Sequence, residues 1–112
     1  MLVKNWMSRN VVTVSPEDSM ETAVQRMRDH HIRLLPVIMK RDVLVGIVTD
    51  RDIKRASASD ATTLEVHELA YLLSRIKVKD IMTANPITVR WDQTVEETAQ
   101  VLLENHISGV PV

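Results

Sequence analysis

The chain has 112 residues, 45% hydrophobic and 26% charged, with 14 basic against 15 acidic side chains and a formal net charge of −1. That length supports one modest core, and the charge balance excludes the basic field that nucleic acid or an anionic membrane surface demands. Cysteine is absent, which excludes disulfides, thiol catalysis and Cys-type zinc sites and fits a reducing, cytoplasmic setting.

The amino end, Met1 to Trp6, lacks the apolar run of a secretory leader. No apolar stretch approaches the roughly 20 residues of a membrane span. Phe is missing and only three aromatics occur, so the core must be aliphatic and Met-filled. Val11-Val12-Thr13-Val14 is a β-branched run that predicts a strand. Ser15-Pro16-Glu17-Asp18 carries turn and helix-start chemistry. From Ser19 to His31, apolar residues at Met20, Ala23, Val24 and Met27 mark one helical face. Leu34 to Met39 reads as a buried strand whose Pro36 belongs at an edge. After the polar turn Lys40-Arg41-Asp42 comes a second strand, Val43 to Val48, in which Gly46 allows close backbone approach. Thr49 to Ala56 starts another helix, so the unit is β-α-β-β-α.

Ser57 to Ala61 reads as a small-residue linker. A helix is expected from Leu64 to Ile76, with Thr62-x-x-Glu65 as its capping box. Its stripe is Leu69, Leu72, Leu73 and Ile76. A strand is expected near Ile87-Thr88-Val89. A helix follows from Thr94, capped by Thr94-x-x-Glu97, with Val95, Ala99, Leu102 and Leu103 as its apolar face. Val110-Pro111-Val112 begins a last strand.

The chain repeats itself. Residues 3–37 align without gaps on 78–112, and 12 of the 35 positions are identical, among them His31/His106, Ile32/Ile107, Pro36/Pro111 and Val37/Val112. One supersecondary unit therefore occurs twice, and a pseudo-twofold arrangement is expected. The organisation reads as a first motif (1–56), a linker with a helix (57–77) and a second motif (78–112). The second copy stops where the first runs on through Val43 to Ile53. Either the polypeptide is a fragment or a strand pair and a helix are absent from the second half.

The segment Gly46-Ile47-Val48-Thr49-Asp50-Arg51-Asp52 holds the most chemistry. A strand ends and a helix begins there, so free amides and the positive end of the helix dipole would suit a phosphate. Thr49 adds a hydroxyl, and Asp52 could accept from both hydroxyls of a ribose. Thr49-x-x-Asp52 equally fits a capping box in which Asp52 reaches back to Thr49, and Thr49 could do both jobs.

The repeat, the unit order and Gly46-x-x-Thr49-x-x-Asp52 resemble tandem CBS domains, the family named for cystathionine β-synthase. Lys77-Val78-Lys79-Asp80-Ile81-Met82 before Pro86-Ile87-Thr88-Val89 is similar to the start of a second CBS motif, and Val3 to Met7 with Val11 to Val14 to the start of a first. Asp50 to Ala56, with Asp60-Ala61-Thr62 and Val66-His67-Glu68-Leu69, resembles the acetoin-utilisation AcuB-type subgroup. The resemblance implies an α/β CBS-domain pair, its second unit incomplete, that binds an adenosine ligand such as AMP, ADP, ATP or S-adenosylmethionine and needs no cofactor. By position it implies that Val11, Val12 and Thr13 line the base, that Leu34, Leu35 and Pro36 close the pocket, that Thr49 meets phosphate and that Asp52 meets ribose. Arg33 is added as a cation within reach of phosphate. The second copy lacks an equivalent Gly-x-x-Thr-x-x-Asp.

The function expected is allosteric regulation without covalent chemistry, as a homodimer built through the CBS pairs. The competing reading is a ligand-free self-association module, which an apolar edge at Val110-Pro111-Val112 would favour. A metal-dependent hydrolase fares worse. His67-Glu68-Leu69-Ala70-Tyr71 has Tyr71 where a zinc-protease helix needs a second His. His30, His31 and His106 lie at helix ends, where the dipole favours His without any metal. The Lys77, Lys79 and Arg75 run reads as a solvated face. With only Gly46 and Gly109, no dinucleotide or P-loop fingerprint exists.

Overall fold

A computed structural model of the protein describes residues 1–60, 74–105, 107 and 109–112. The helix expected over 64–76 lies mostly outside these, as do its capping box, most of its stripe, His67 and His106. The described residues fall into two compact units, one of residues 12–85 and one of residues 1–11 with 86–112. The first unit groups the first copy with the segment 74–85, and the second groups the second copy with the segment 1–11. Each copy is completed by the segment that leads into the other.

In the first unit Ser15 to Asp18 closes a turn: the Asp18 amide donates to the Ser15 carbonyl at 3.0 Å and the Ser15 amide to Asp18 Oδ2 at 2.8 Å. Helix α1 (Met20–His30) follows, capped by Ser19, whose Oγ accepts the Thr22 amide at 3.1 Å. It ends at His31 in the left-handed conformation, φ 54°. Its apolar stripe buries Met20, Ala23 and Met27, as the spacing predicts.

Strands β1 (Leu34–Met39) and β2 (Val43–Thr49) pair antiparallel across the turn Lys40–Asp42, where Arg41 and Asp42 take positive φ. A two-residue strand, β3 (Thr83–Ala84), adds to β2, giving the order β1-β2-β3. The sequence reading did not anticipate β3, which is too short to leave a periodic signal. Leu35, Val37 and Val48 on one sheet face are fully buried in a cluster with Val14, Ala23, Met27 and Val78. Leu34 pairs with Thr49 and Pro36 with Ile47, so these four occupy the other face, and all are half-buried.

Gly46 sits where the backbone of β3 comes closest. A Cβ there would lie 2.7 Å from Met82 Sδ and 2.9 Å from the Thr83 carbonyl oxygen, so the close approach expected of this glycine is met.

The strand expected at Val11 to Val14 is not formed. Only Val14 pairs, in a single parallel bridge to Val37. Its amide donates to the Pro36 carbonyl at 3.0 Å and its carbonyl accepts the Ile38 amide at 2.9 Å. The next bond toward Val12 would need an amide hydrogen on Pro36, which proline lacks, so the ladder stops. The second copy repeats this: Val89 donates to the Pro111 carbonyl at 3.0 Å, Pro111 has no hydrogen to return, and neither Ile87 to Val89 nor Val110 to Val112 forms a strand.

Helix α2 (Asp50–Asp60) runs through most of the expected linker, because Ser and Ala carry no Gly or Pro stop. The short helix α3 (Val78–Ile81) buries Val78. Glu17 accepts from Lys77 at 2.7 Å and Lys79 at 3.2 Å, so the lysines, exposed as expected of a solvated face, also tie this lead-in to the first copy. These hydrogen bonds, Lys77's first, hold the Glu17 carboxyl below the usual carboxylate range.

In the second unit a 3-10 turn (Val3–Asn5) precedes helix α4 (Val95–Asn105). Thr94 caps α4, its Oγ1 accepting the Glu97 amide at 3.0 Å and meeting Glu97 Oε1 at 3.1 Å. The apolar face expected of α4 is not buried: Val95 and Leu102 are half-buried, Ala99 is exposed, and Leu103 is 72% exposed. Met27 of α1, the equivalent of Leu102, packs against Leu35, Val37 and Val48, and no strand pair is formed by 107 and 109–112 to cover α4.

The two units nonetheless make the same hydrogen bonds at an offset of 75. Val78 donates to the Asp18 carbonyl at 2.8 Å and Val3 to that of Gln93 at 2.9 Å; Lys79 to Pro16 and Lys4 to Trp91, both at 3.0 Å. Met20 donates to Ile76 at 2.8 Å and Val95 to Met1 at 2.9 Å. Ile32 donates to Met27 at 3.0 Å and Ile107 to Leu102 at 3.1 Å. The duplication read from 12 identities is thus a duplication of backbone geometry within each unit.

Candidate functional site

The corner between β2 and α2 is where helix dipole, hydroxyl and carboxylate meet. Thr49 ends β2 and Asp52 lies in the first turn of α2; both are half-buried. The Thr49 amide donates to Asp52 Oδ2 at 2.9 Å, the Thr49 hydroxyl to the same oxygen at 3.1 Å, and the Asp52 amide to Thr49 Oγ1 at 3.3 Å. This is the reciprocal capping box that the spacing allowed. The Asp50 amide is also engaged, donating to the Arg33 carbonyl at 3.0 Å.

The corner therefore keeps fewer free groups than the sequence reading expected. Of its first amides, those of Asp50 and Asp52 have partners within the fold, and the Arg51 amide makes no hydrogen bond to the described residues. Asp52 uses Oδ2 twice, which leaves Oδ1 with no donor among the described residues. An unengaged carboxylate oxygen beside a hydroxyl suits a vicinal diol better than a phosphate, which it would repel.

The other expected site residues divide. Leu34 and Pro36 share with Thr49 the half-buried sheet face. Leu35 does not: its side chain is 0% exposed in the core, so only its backbone remains for a ligand. The alternation of a strand decides this, since neighbours point to opposite faces. Val12 packs against the core cluster and is half-buried. Val11 is exposed and belongs to the other unit.

Thr13 and Arg33 line separate grooves. The first groove, about 370 Å³, runs between α1 and α2 and is lined by Val24, Met27, Ile32 and Ile53 with Arg28, Arg33, Asp50 and Lys54. The second, about 360 Å³, contains Thr13, Ser15, Asp18, Arg26 and Lys40. Arg26 donates to the Thr13 carbonyl at 2.6 Å and to Asp18 Oδ2 at 3.4 Å. Arg26 was missed in the sequence because its role depends on where the non-strand backbone of Thr13 lies. Among the described residues no cluster of three metal-ligating side chains exists, and no helix is long and apolar enough to cross a membrane.

Comparison with known proteins bears on this geometry. A family model for the CBS domain matches residues 3–59 and 78–112. The chain is 40% identical over 109 residues to an inosine-5′-monophosphate dehydrogenase of Korarchaeum cryptofilum, covering 97% of this chain and 20% of that protein. It thus spans about a fifth of the enzyme it matches. The CBS domain pair of protein MJ0100, in complex with 5′-methylthioadenosine and S-adenosyl-L-methionine, superposes with a TM-score of 0.84 at 31% identity, covering all of this chain and 82% of that one. CBSX2 of Arabidopsis thaliana, in complex with AMP, gives 0.78 at 31% identity, covering 99% and 80%. With the fold, the duplicated hydrogen bonds and these matches in agreement, the chain belongs to the CBS-domain family and has the fold of a CBS domain pair.

Proposed function

We propose that this chain is a regulatory module that binds an adenosine compound (AMP, ADP, ATP or S-adenosylmethionine) and acts through a ligand-dependent shift between conformations. The observation that carries this reading is the corner at Thr49 and Asp52, with one carboxylate oxygen unengaged, in a chain 31% identical to CBS pairs solved with such compounds. In this reading Asp52 accepts from the ribose hydroxyls, and Thr49 and the Arg51 amide face the phosphate or its substituent. Leu34 and Pro36 flank the base, with Val12 and Thr13 giving it backbone contacts, and Arg33 supplies a cation. No cofactor and no catalytic residue take part. The protein acts in the cytoplasm without nucleic acid or membrane as a partner, and the string from Asp50 to Ala56 supports a relation to the acetoin-utilisation subgroup.

Isothermal titration with AMP, ATP and S-adenosylmethionine tests the reading. At least one binds, and Asp52→Ala weakens that binding by about 1–3 kcal/mol, the worth of a charged hydrogen bond. Flat titrations on folded protein exclude the ligand, and unchanged affinity in the variant removes Asp52 from the site.

A second reading, self-association as a homodimer through the CBS pairs, is favoured by the exposed apolar residues of the second unit, among them Trp6, Trp91 and Leu103. The two readings are compatible. Light scattering that finds only monomer at high concentration removes the second.

A further inference from the structure

Strand β3 joins the sheet beside the corner. Its two residues pair with β2, Ala84 opposite Gly46 and Thr83 opposite Ile47. Directly opposed residues of an antiparallel pair send their side chains to the same face, so Thr83 shares a face with Ile47. Ile47 in turn pairs with Pro36, and Thr49 with Leu34. Thr83 therefore stands on the sheet face that carries Leu34, Pro36 and Thr49. It is the diagonal neighbour of Thr49, a separation of about 7–8 Å in an antiparallel sheet.

The backbone here is held closely. A Cβ on Gly46 would lie 2.9 Å from the Thr83 carbonyl oxygen and 2.7 Å from Met82 Sδ, so the glycine is what lets β3 settle this near to β2. The side chain is uncommitted by contrast. Thr83 is exposed, and its hydroxyl makes no hydrogen bond to the described residues. Ser8 stands at the equivalent place of the repeat, so both copies carry a hydroxyl there.

Two hydroxyls, those of Thr49 and Thr83, thus border an apolar patch of Leu34, Pro36 and Ile47. Apolar walls with a few placed polar groups are what orient a small ligand. A planar base lying on the patch still has a polar edge, and an amino group withdrawn from water without a partner weakens binding.

We propose that Thr83 is a further ligand-binding residue, whose hydroxyl accepts from the amino group of an adenine while Asp52 holds the ribose. The inference rests on the function proposed above and adds to it the residue that senses the base. Leu34, Pro36 and Ile47 are apolar and cannot tell an adenine from a purine that lacks the amino group, whereas a hydroxyl placed to pair with that group can.

Thr83→Val and Thr83→Ser, titrated calorimetrically with AMP, ATP and S-adenosylmethionine, test it. Valine keeps the shape and removes the hydroxyl; serine keeps the hydroxyl. The valine variant binds whichever compound wild type binds about 3- to 10-fold more weakly, and the serine variant binds it as wild type does. In competition against that compound, adenosine outdoes purine riboside, which lacks the amino group, on wild type and only matches it on the valine variant. The urea midpoint of both variants stays that of wild type, because Thr83 is exposed and unbonded.

A valine variant with undiminished affinity overturns the proposal, and where Asp52→Ala still abolishes binding, the proposed function stands without it. A valine variant that loses affinity but keeps the preference for adenosine overturns the contact with the amino group. A shifted urea midpoint with loss unrescued by serine marks Thr83 as structural and overturns it too. If wild type binds none of the three compounds, the inference and the proposed function fall together.

Discussion

Asp52 has one carboxylate oxygen for the cap and, in the proposed reading, one for a ligand. Oδ2 closes the capping box with Thr49, and Oδ1 is left over. Asp52→Ala should therefore cost stability as well as affinity, about 0.5–2 kcal/mol for the lost cap, measured as a shift in the urea midpoint without ligand. Asp52→Asn retains an acceptor for the Thr49 amide and should lose less stability than alanine. A variant as stable as wild type would show that the cap contributes nothing. Gly46 permits no such sharing. Its missing Cβ leaves room for the Thr83 carbonyl, a backbone atom that cannot rotate away. Gly46→Ala should cost about 1–3 kcal/mol through displacement of β3, read by thermal or urea unfolding. The glycine and the cap were legible in the sequence, because each rests on local chemistry; His31 was read only as a helix-end residue, and its left-handed turn came from the structure. The depth of Leu35 was not legible, because a continuous apolar run hides which of its alternate residues face the core.

At the scale of elements, a helix with a cap and an apolar stripe was legible, as was the strand Leu34–Met39 with its Pro36, and a run facing a proline across the ladder was not. Ser19 and Thr94 start α1 and α4 as their side chains dictate, and Ser19→Ala and Thr94→Ala should each lower stability by about 0.5–2 kcal/mol in urea unfolding. The Ser19 variant should cost more, since α1 lies on a fully buried core and α4 buries no residue. The Val11 to Val14 and Ile87 to Val89 runs have strand composition, yet the proline opposite each ends the ladder after one bond. Composition reads one strand at a time, whereas a ladder needs donors on both. The lead-in helix α3 is tied to the first copy by Lys77 and Lys79 on Glu17. Because the Glu17 pKa is lowered by folding, the tie stabilises the fold above the ordinary carboxylate range and is lost as pH falls through the lowered value. Wild type should therefore lose more thermal stability than Glu17→Gln between about pH 5 and pH 3. The difference should shrink in high salt, since all three side chains are largely exposed. Parallel pH profiles for the two proteins would show that the tie has no weight.

For the molecule as a whole, duplication was the strongest signal in the sequence and the same hydrogen bonds in both units justify it. What no single-copy reading could show is that the lead-ins are exchanged: Ile76 to Lys79 complete the first copy, and Met1 to Lys4 complete the second. Twelve identities report that two segments are alike, not which copy each one packs on. The candidate ligand residues were legible only in part for a related reason. Thr49, Leu34 and Pro36 share one sheet face, while Thr13 and Arg33 line separate grooves. The central claim, that the β2–α2 corner grasps an adenosine compound, is tested most directly by an amide-resolved NMR titration of labelled protein with AMP, ATP and S-adenosylmethionine. Saturable shifts are expected at Thr49, Arg51 and Asp52, together with Leu34 on the same face, for at least one of the three. Spectra that stay unchanged, or shifts confined to residues away from this corner, would contradict it.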